Sequence, residues 1–143
     1  MSGESMECRD FTVGERVVLT FLLRAARKDE YYISQFFSAT QCSDMDDGGM
    51  GSIQFVSLNN EFCSDSRKFG CAVASCHFTD EDGVWVSVAL YADVSGNPFE
   101  LDVWKVDFSP LVRMPNDEGE LVLDVGIQSA CDLVSNHKDQ SSK

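Results

Sequence analysis

The chain has 143 residues, 43% of them hydrophobic, so it is long enough and apolar enough to form one domain with its own core. Its formal net charge of −13, from 24 acidic and 11 basic residues, disfavours binding to nucleic acid or to anionic membranes. A surface of this sign attracts basic partners, although the same charge also serves solubility.

Residues 10–134 are predicted to form a single domain between disordered tails at residues 1–9 and 135–143.

The start, MSGESMECRD, lacks the features of a signal peptide, so we expect a cytoplasmic protein whose six cysteines stay reduced. No segment has the roughly 18 consecutive apolar residues of a membrane span. The sequence contains two histidines and no CxxC spacing, so we expect no metal site, and it carries no cofactor or nucleic-acid motif.

Two helices are predicted at the N-terminal end of this domain. Thr12 and Glu15 have the spacing of a capping box, in which each side chain satisfies a free backbone N–H group. The apolar stripe expected on this first helix consists of Val13, Val17, Val18, Phe21, Leu22 and Ala25. Asp29 is expected to cap a second, shorter helix that ends near Ser38.

The rest of the chain has the period of two that is typical of strands. After a glycine-rich turn at residues 48–51, the pattern predicts strands over residues 52–57, 70–79, 84–91 and 98–107. Residues 120–127 fit either an edge strand or a short helix. The predicted fold is therefore α+β, with two N-terminal helices packed on one face of an antiparallel β-meander of about four to six strands.

Acidic side chains are concentrated in residues 80–107, which contain seven acids and one base. We expect six of these acids to steer the protein onto a cationic surface and two aromatic residues to anchor the contact. The predicted binding residues are Asp80, Glu81, Asp82, Trp85, Tyr91, Asp93, Glu100 and Asp102. Glu100 and Asp102 share a strand face with Trp104, and they also fit acid–base catalysis or an internal pair with Lys105.

Two further candidate sites, a calcium loop and a histidine–cysteine pair, do not fit the residue patterns that they require. Residues 44–49 (DMDDGG) suggest a calcium loop, but the twelfth position from Asp44 is Phe55 rather than the required glutamate. His77 and Cys76 are neighbours on a predicted strand and point to opposite faces, so they do not form a nucleophile–base pair. We therefore expect a protein that is not an enzyme. A structure with His77 about 3 Å from both a carboxylate and a serine or cysteine would favour catalysis.

Two motifs, DGGMGS at residues 47–52 and FELDVWKVDFSPL at residues 99–111, resemble those of a family of small uncharacterised bacterial proteins. The resemblance runs from about Arg9 to Pro115 and implies a helical start, a tight turn and a closing strand, without an activity. Some small acidic bacterial proteins of this kind resemble immunity proteins, which block toxins made by neighbouring cells. Trp104, Phe108 and Leu111 are expected to anchor the closing strand to the helices.

The first functional hypothesis is an acidic, non-catalytic binding protein, specifically an immunity protein that occludes the basic surface of a toxin domain such as a nuclease. The alternative is a small-ligand-binding or regulatory domain with a pocket between the helices and the sheet. An enzyme that uses Glu100, Asp102 or His77 is the third hypothesis.

Overall fold

A computed structural model describes residues 7–58 and 68–124, and in these residues two helices precede six strands. The helices are α1 (Val13–Ala25) and α2 (Glu30–Ala39), and the strands are β1 (Thr40–Asp44), β2 (Ile53–Ser57), β3 (Phe69–Thr79), β4 (Trp85–Asp93), β5 (Pro98–Lys105) and β6 (Val122–Leu123). A 3-10 turn, Glu118–Glu120, precedes β6. The predicted tail at 135–143 and most of the predicted tail at 1–9 lie outside the described residues.

Both helices begin at the residues that the sequence predicts. The Thr12 hydroxyl accepts a hydrogen bond from the backbone N–H of Glu15, and the Glu15 carboxylate accepts one from the backbone N–H of Thr12. The Asp29 carboxylate caps α2 by accepting from the backbone N–H of Tyr32. Because these contacts join residues three apart in the chain, local sequence fixes both helix starts.

The buried stripe of α1 differs from the predicted one. Val13 is 70% exposed, whereas Leu19 and Leu23, which were not predicted to face the core, are fully buried. Leu19 and Leu23 stand four residues apart on one side of the helix, next to Val18 and Leu22. Rotating the helix towards them buries two leucines instead of a valine and an alanine, which removes more apolar area from water.

The six described strands form one antiparallel sheet in the order β1-β2-β5-β4-β3-β6. The predicted meander of three hairpin-linked strands is present as β3, β4 and β5. β1 was not predicted from the sequence, because this strand is short and its residues, TQCSD, are mostly polar; it pairs with β2 at the edge of the sheet. Arg9, assigned to the N-terminal tail, forms a bridge with Cys42 of β1.

The helices pack on one face of the sheet and form the core with it. Leu19 and Leu22 of α1 belong to the same buried cluster as Val88 of β4 and Leu101 of β5. A second part of this cluster is aromatic, with the rings of Phe36 in α2 and Phe55 in β2 centred 5.3 Å apart. One face of the sheet is therefore covered, and the other carries the side chains considered next.

Candidate interaction face

Alternation along β4 separates the two faces of the sheet. Val86, Val88 and Leu90 are fully buried against the helices, and the residues between them point to the opposite side. We call this opposite side the open face. According to the strand register, it carries Gln54 of β2; Glu100, Asp102 and Trp104 of β5; Trp85, Ser87, Ala89 and Tyr91 of β4; and Ser75 and His77 of β3.

Two carboxylates stand next to each other on the open face. Glu100 pairs across the sheet with Tyr91, and Asp102 pairs with Ala89. Partial burial raises the pKa of both carboxyl groups, and the negative charge of Asp102 raises the pKa of Glu100 further. Within residues 7–58 and 68–124, no arginine or lysine forms an ion pair with either carboxylate.

Beside these carboxylates the open face exposes large apolar side chains. Trp85 is 48% exposed, Trp104 is 47% exposed, and Phe108, in the turn after β5, is 66% exposed. The ring centres of Trp104 and Phe108 lie 6.0 Å apart, and the backbone N–H of Val106 donates to the carbonyl of Trp85, which places Val106 beside Trp85 on the neighbouring strand. We call Trp85, Trp104, Val106 and Phe108 the aromatic ridge; a continuous exposed patch of this kind is a mark of interaction surfaces.

The structure brings four of the eight predicted binding residues together on the open face, namely Trp85, Tyr91, Glu100 and Asp102. Asp93 is buried, and its carboxylate accepts hydrogen bonds from the backbone N–H groups of Ser95 and Asn97 in the β4–β5 turn. It therefore shapes that turn and offers little surface to a partner.

The remaining three predicted residues form the β3–β4 turn and take part in internal ion pairs. Asp80 is 4% exposed and lies 2.8 Å from the ammonium group of Lys105, which also contacts Asp82. Glu81 is exposed and pairs with Arg113. The predicted pairing of Lys105 with Glu100 or Asp102 is wrong, because Lys105 points to the covered face of the sheet.

The buried Lys105 holds the turn that follows β5. Its ammonium group donates to the carbonyl of Pro110 at 3.0 Å, and the Asp80 carboxylate accepts from the backbone N–H groups of Val112 and Arg113. Burial lowers the pKa of Lys105, but the two aspartates more than offset this, so its pKa is raised. The cation and its partners thus form a charged centre in which each group has hydrogen-bond partners.

The two sequence motifs form a single structural unit. The backbone N–H of Leu111 donates to the carbonyl of Gly49 at 2.9 Å, and the Ser52 hydroxyl accepts from the backbone N–H of Val103 at 2.8 Å. Gly51 has φ +108°, and a Cβ atom there would lie 3.1 Å from the Leu111 side chain. The glycine turn therefore supports the end of β5 and the turn after it.

The Asp47 carboxylate in this turn is engaged in hydrogen bonds within the turn. It accepts hydrogen bonds from the backbone N–H groups of Gly49, Met50 and Ser52. Asp44, the first residue of the calcium-like pattern, pairs with Arg9. Among the described residues, no group of three or more histidine, cysteine, aspartate or glutamate side chains is arranged to hold a metal ion.

The family described as Domain of unknown function (DUF6984) matches residues 8–115, which is most of the chain. The chain belongs to this family. No curated protein and no solved structure matches the chain. The matched part of the DUF6984 domain includes both helices, β1 to β5 and the turn after β5, so the carboxylates and the aromatic ridge lie within it, whereas β6 and Asp124 lie beyond it.

The geometry around His77 meets only part of the condition set for catalysis. Its Nδ1 atom lies 2.8 Å from the Asp124 carboxylate, and its ring stacks on Trp85 at 4.0 Å. The nearby Ser75 hydroxyl donates to Asp124 rather than to His77, so the serine is not placed as a nucleophile activated by this histidine. Asp124 directly follows β6, so its contact with β3 lies at the end of the short pairing between β6 and β3.

The cysteines differ from the expectation that all six are reduced. Cys71 of the DUF6984 domain is disulfide-bonded. Cys8 is free and exposed, whereas Cys42 and Cys76 are free and buried. Burial raises the pKa of both buried thiols to about 12, so neither is a reactive thiolate at neutral pH.

Of the aromatic ridge, only Trp85 was predicted from the sequence to be a binding residue. Trp104 and Phe108 were expected to anchor β5 to the helices, but both are exposed on the open side, and only Leu111 packs against the core. For Trp104 a signal was present, since it stands two and four residues after Asp102 and Glu100 and so shares their face. For Phe108 no local signal existed, because its orientation depends on a turn held by distant residues.

In the described part of the chain, no helix is long and apolar enough to cross a membrane.

Proposed function

We propose that this chain is a non-catalytic binding protein whose open face docks on a basic surface of another protein. The observation that carries the proposal is the pair Glu100 and Asp102, which are partly withdrawn from water without a described cation beside them. Withdrawing a carboxylate from water costs free energy, and a lysine or arginine of a partner would recover it.

The aromatic ridge supports the same proposal. Tryptophan is enriched among the residues that dominate binding energy at protein interfaces, and such residues are surrounded by polar groups that exclude water. Trp104 has a polar group of this kind beside it, since Asp102 stands two residues before it on the same face of β5. The net charge of −13 would accelerate the approach of a cationic partner.

The specific form that we propose is an immunity protein that covers the cationic cleft of a bacterial toxin domain such as a nuclease. The open face would block access of the substrate, so inhibition would need no chemical step. The contact residues in this proposal are Trp85, Tyr91, Glu100 and Asp102, with Trp104 added from the structure. An inhibitor of this kind acts where the target of the toxin lies, so the proposal implies a cytoplasmic protein.

Site-specific photo-crosslinking in the source organism tests the proposal. A photoreactive amino acid replaces Trp104 on the open face, and a matched chain carries it at Tyr31, an exposed aromatic residue of α2. We expect a basic protein to be cross-linked from position 104 and not from position 31. Equal capture from both positions, or capture of acidic proteins only, would contradict the proposal.

The purified partner then allows a direct measurement of affinity. Trp85 and Trp104 are the two tryptophans of the sequence and both lie on the open face, so their fluorescence reports its occupation. We expect a blue shift on binding and a Kd that rises at least tenfold between about 50 and 300 mM salt. A Kd that does not change with salt would exclude the electrostatic part of the proposal.

A further inference from the structure

Phe108 combines two features that do not favour folding. Its φ angle is +65°, in the left-handed region that bulky side chains rarely adopt, and its side chain is 66% exposed. A glycine at this position would adopt the same backbone without steric cost. Backbone strain in a residue that contributes little to the core is a reason to look for a function at that residue.

The surrounding structure fixes this conformation in the free protein. The backbone N–H of Phe108 donates to the carbonyl of Lys105, and the buried ammonium group of Lys105 holds the carbonyl of Pro110. Asp107 accepts from the backbone N–H and the hydroxyl of Ser109, which closes the turn on its exposed side. The Phe108 ring is therefore presented before any partner arrives, and such preorganisation reduces the entropy lost on binding.

We propose that Phe108, supported by Trp104, is the anchor of the interface and inserts into an apolar pocket whose rim carries lysine or arginine side chains on a basic protein. This inference rests on the proposed function and names the contact that supplies most of its affinity. The cationic rim follows from charge complementarity, because Asp107 is exposed beside Phe108 and the carboxylates of Glu100 and Asp102 lie on the same side.

A pair of glycine substitutions separates binding from folding. Phe108→Gly removes the ring and relieves the backbone strain, so the variant should melt at or above the temperature of the wild type. Arg27→Gly is the matched control, since Arg27 is exposed between α1 and α2 and is the other described non-glycine residue with positive φ, at +69°. The third chain is Glu100→Gln/Asp102→Asn, which removes the two carboxylates of the open face.

The probe is the basic protein fraction of the source organism, obtained by cation exchange and passed at low salt over the immobilised full chain. Proteins retained by the wild type and by each variant are quantified by mass spectrometry. Each protein that wild type retains is then purified, and its Kd is measured with all four chains. We expect Phe108→Gly to raise the Kd at least tenfold and Arg27→Gly to leave it within about twofold.

The outcomes distinguish a failure of the Phe108 anchor from a failure of the proposed function. If a basic protein binds wild type and is lost from the carboxylate variant, but binds Phe108→Gly with unchanged Kd, the anchor is refuted and the proposed function stands. If no basic protein discriminates between wild type and the carboxylate variant, the proposed function fails and the anchor fails with it. If Arg27→Gly loses affinity as much as Phe108→Gly does, the loss has no connection to the ridge and the inference is again refuted.

Discussion

The ammonium group of Lys105 lies 2.8 Å from the carboxylate of Asp80, and both side chains are completely buried. Lys105 ends β5, and Asp80 begins the β3–β4 turn, so the pair joins two parts of the chain that are 25 residues apart. The turn after β5, including Phe108, is built on this pair. A structural ion pair thus positions the surface that we propose for binding.

The first prediction concerns the stability that this pair provides. Asp80→Asn keeps the size of the side chain but leaves the Lys105 ammonium beside a neutral amide, so we expect a loss of about 2–3 kcal/mol in the free energy of unfolding. Urea denaturation measures this loss. Glu81→Gln, which breaks an exposed pair with Arg113 in the same turn, should cost less than about 1 kcal/mol. Equal losses would mean that burial adds nothing to the Lys105 pair.

The second prediction follows from the pKa of Asp80. Burial alone would raise it, but the hydrogen bonds from Lys105 and from three backbone N–H groups outweigh burial, so the pKa in the folded state is lowered. The unfolded chain, with a carboxyl pKa of about 3.9, therefore binds the proton more readily. The free energy of unfolding should fall as pH decreases from about 5 through the folded-state pKa. Urea titrations across this range should show a shallower fall for Asp80→Asn than for wild type.

The third prediction has the opposite sign and concerns the open face. Because the pKa values of Glu100 and Asp102 are raised in the folded state, their charged forms destabilise the fold at neutral pH. Glu100→Gln/Asp102→Asn should raise the Tm by about 2 °C at pH 7. The gain should disappear near pH 3, where the carboxyl groups are protonated in both folded and unfolded chains.

Asp46→Asn is the matched control for the third prediction, because Asp46 is an exposed carboxylate in the β1–β2 loop. Its Tm should stay close to that of wild type at both pH values. A double variant that is less stable than wild type at pH 7 would show that these carboxylates contribute to the fold. It would then remove the reason for expecting a cation from a partner.

The fourth prediction tests the contact between the two motifs. Gly51 and Gly48 both have positive φ, at +108° and +76°, but only at Gly51 would an added Cβ meet other atoms. Gly51→Ala must displace Leu111 as well as strain the backbone, so it should cost at least 1 kcal/mol more than Gly48→Ala. Thermal unfolding of the two variants compares them directly, and equal Tm values would show that the Leu111 contact is unimportant.

The fifth prediction concerns thiol reactivity. Cys8 is exposed, whereas Cys42 and Cys76 are buried with pKa values of about 12, so maleimide should modify Cys8 much faster in the folded protein. Peptide mapping by mass spectrometry after timed labelling assigns each rate to its cysteine. In urea the three rates should become similar. Rapid labelling of Cys76 without denaturant would mean that β3 opens readily.

Much of the fold follows from signals that act over a few residues. The caps at Thr12 and Asp29 and the alternation of β4 each depend on neighbours in the chain, and all three are confirmed. The predicted apolar stripe of α1 was wrong in part, because alternative residues can face the core: Leu19 is buried and Val13 is exposed. β1 was also not predicted, since a short polar strand at the edge of a sheet has no apolar alternation to reveal it.

The candidate site was predicted in part, and the errors have a common cause. Residues 80, 82, 100 and 102 all carry acids, and nothing in their spacing tells which of them meets Lys105. The register of β5 places Lys105 on the covered face, where it contacts the β3–β4 turn, and places Glu100 and Asp102 on the open face. Pairing of charges distant in sequence is therefore visible only once the strands are assembled.

By itself the sequence determined the class of fold, the helix starts, the strand alternation and the excess of negative charge, because these depend on composition and on contacts within one turn or strand. Only the tertiary structure decided which carboxylates are neutralised inside, that Lys105 is buried, and that Phe108 faces water. Those outcomes depend on residues from different strands coming within hydrogen-bond distance, and the free energy of each charge depends on the neighbours that folding gives it.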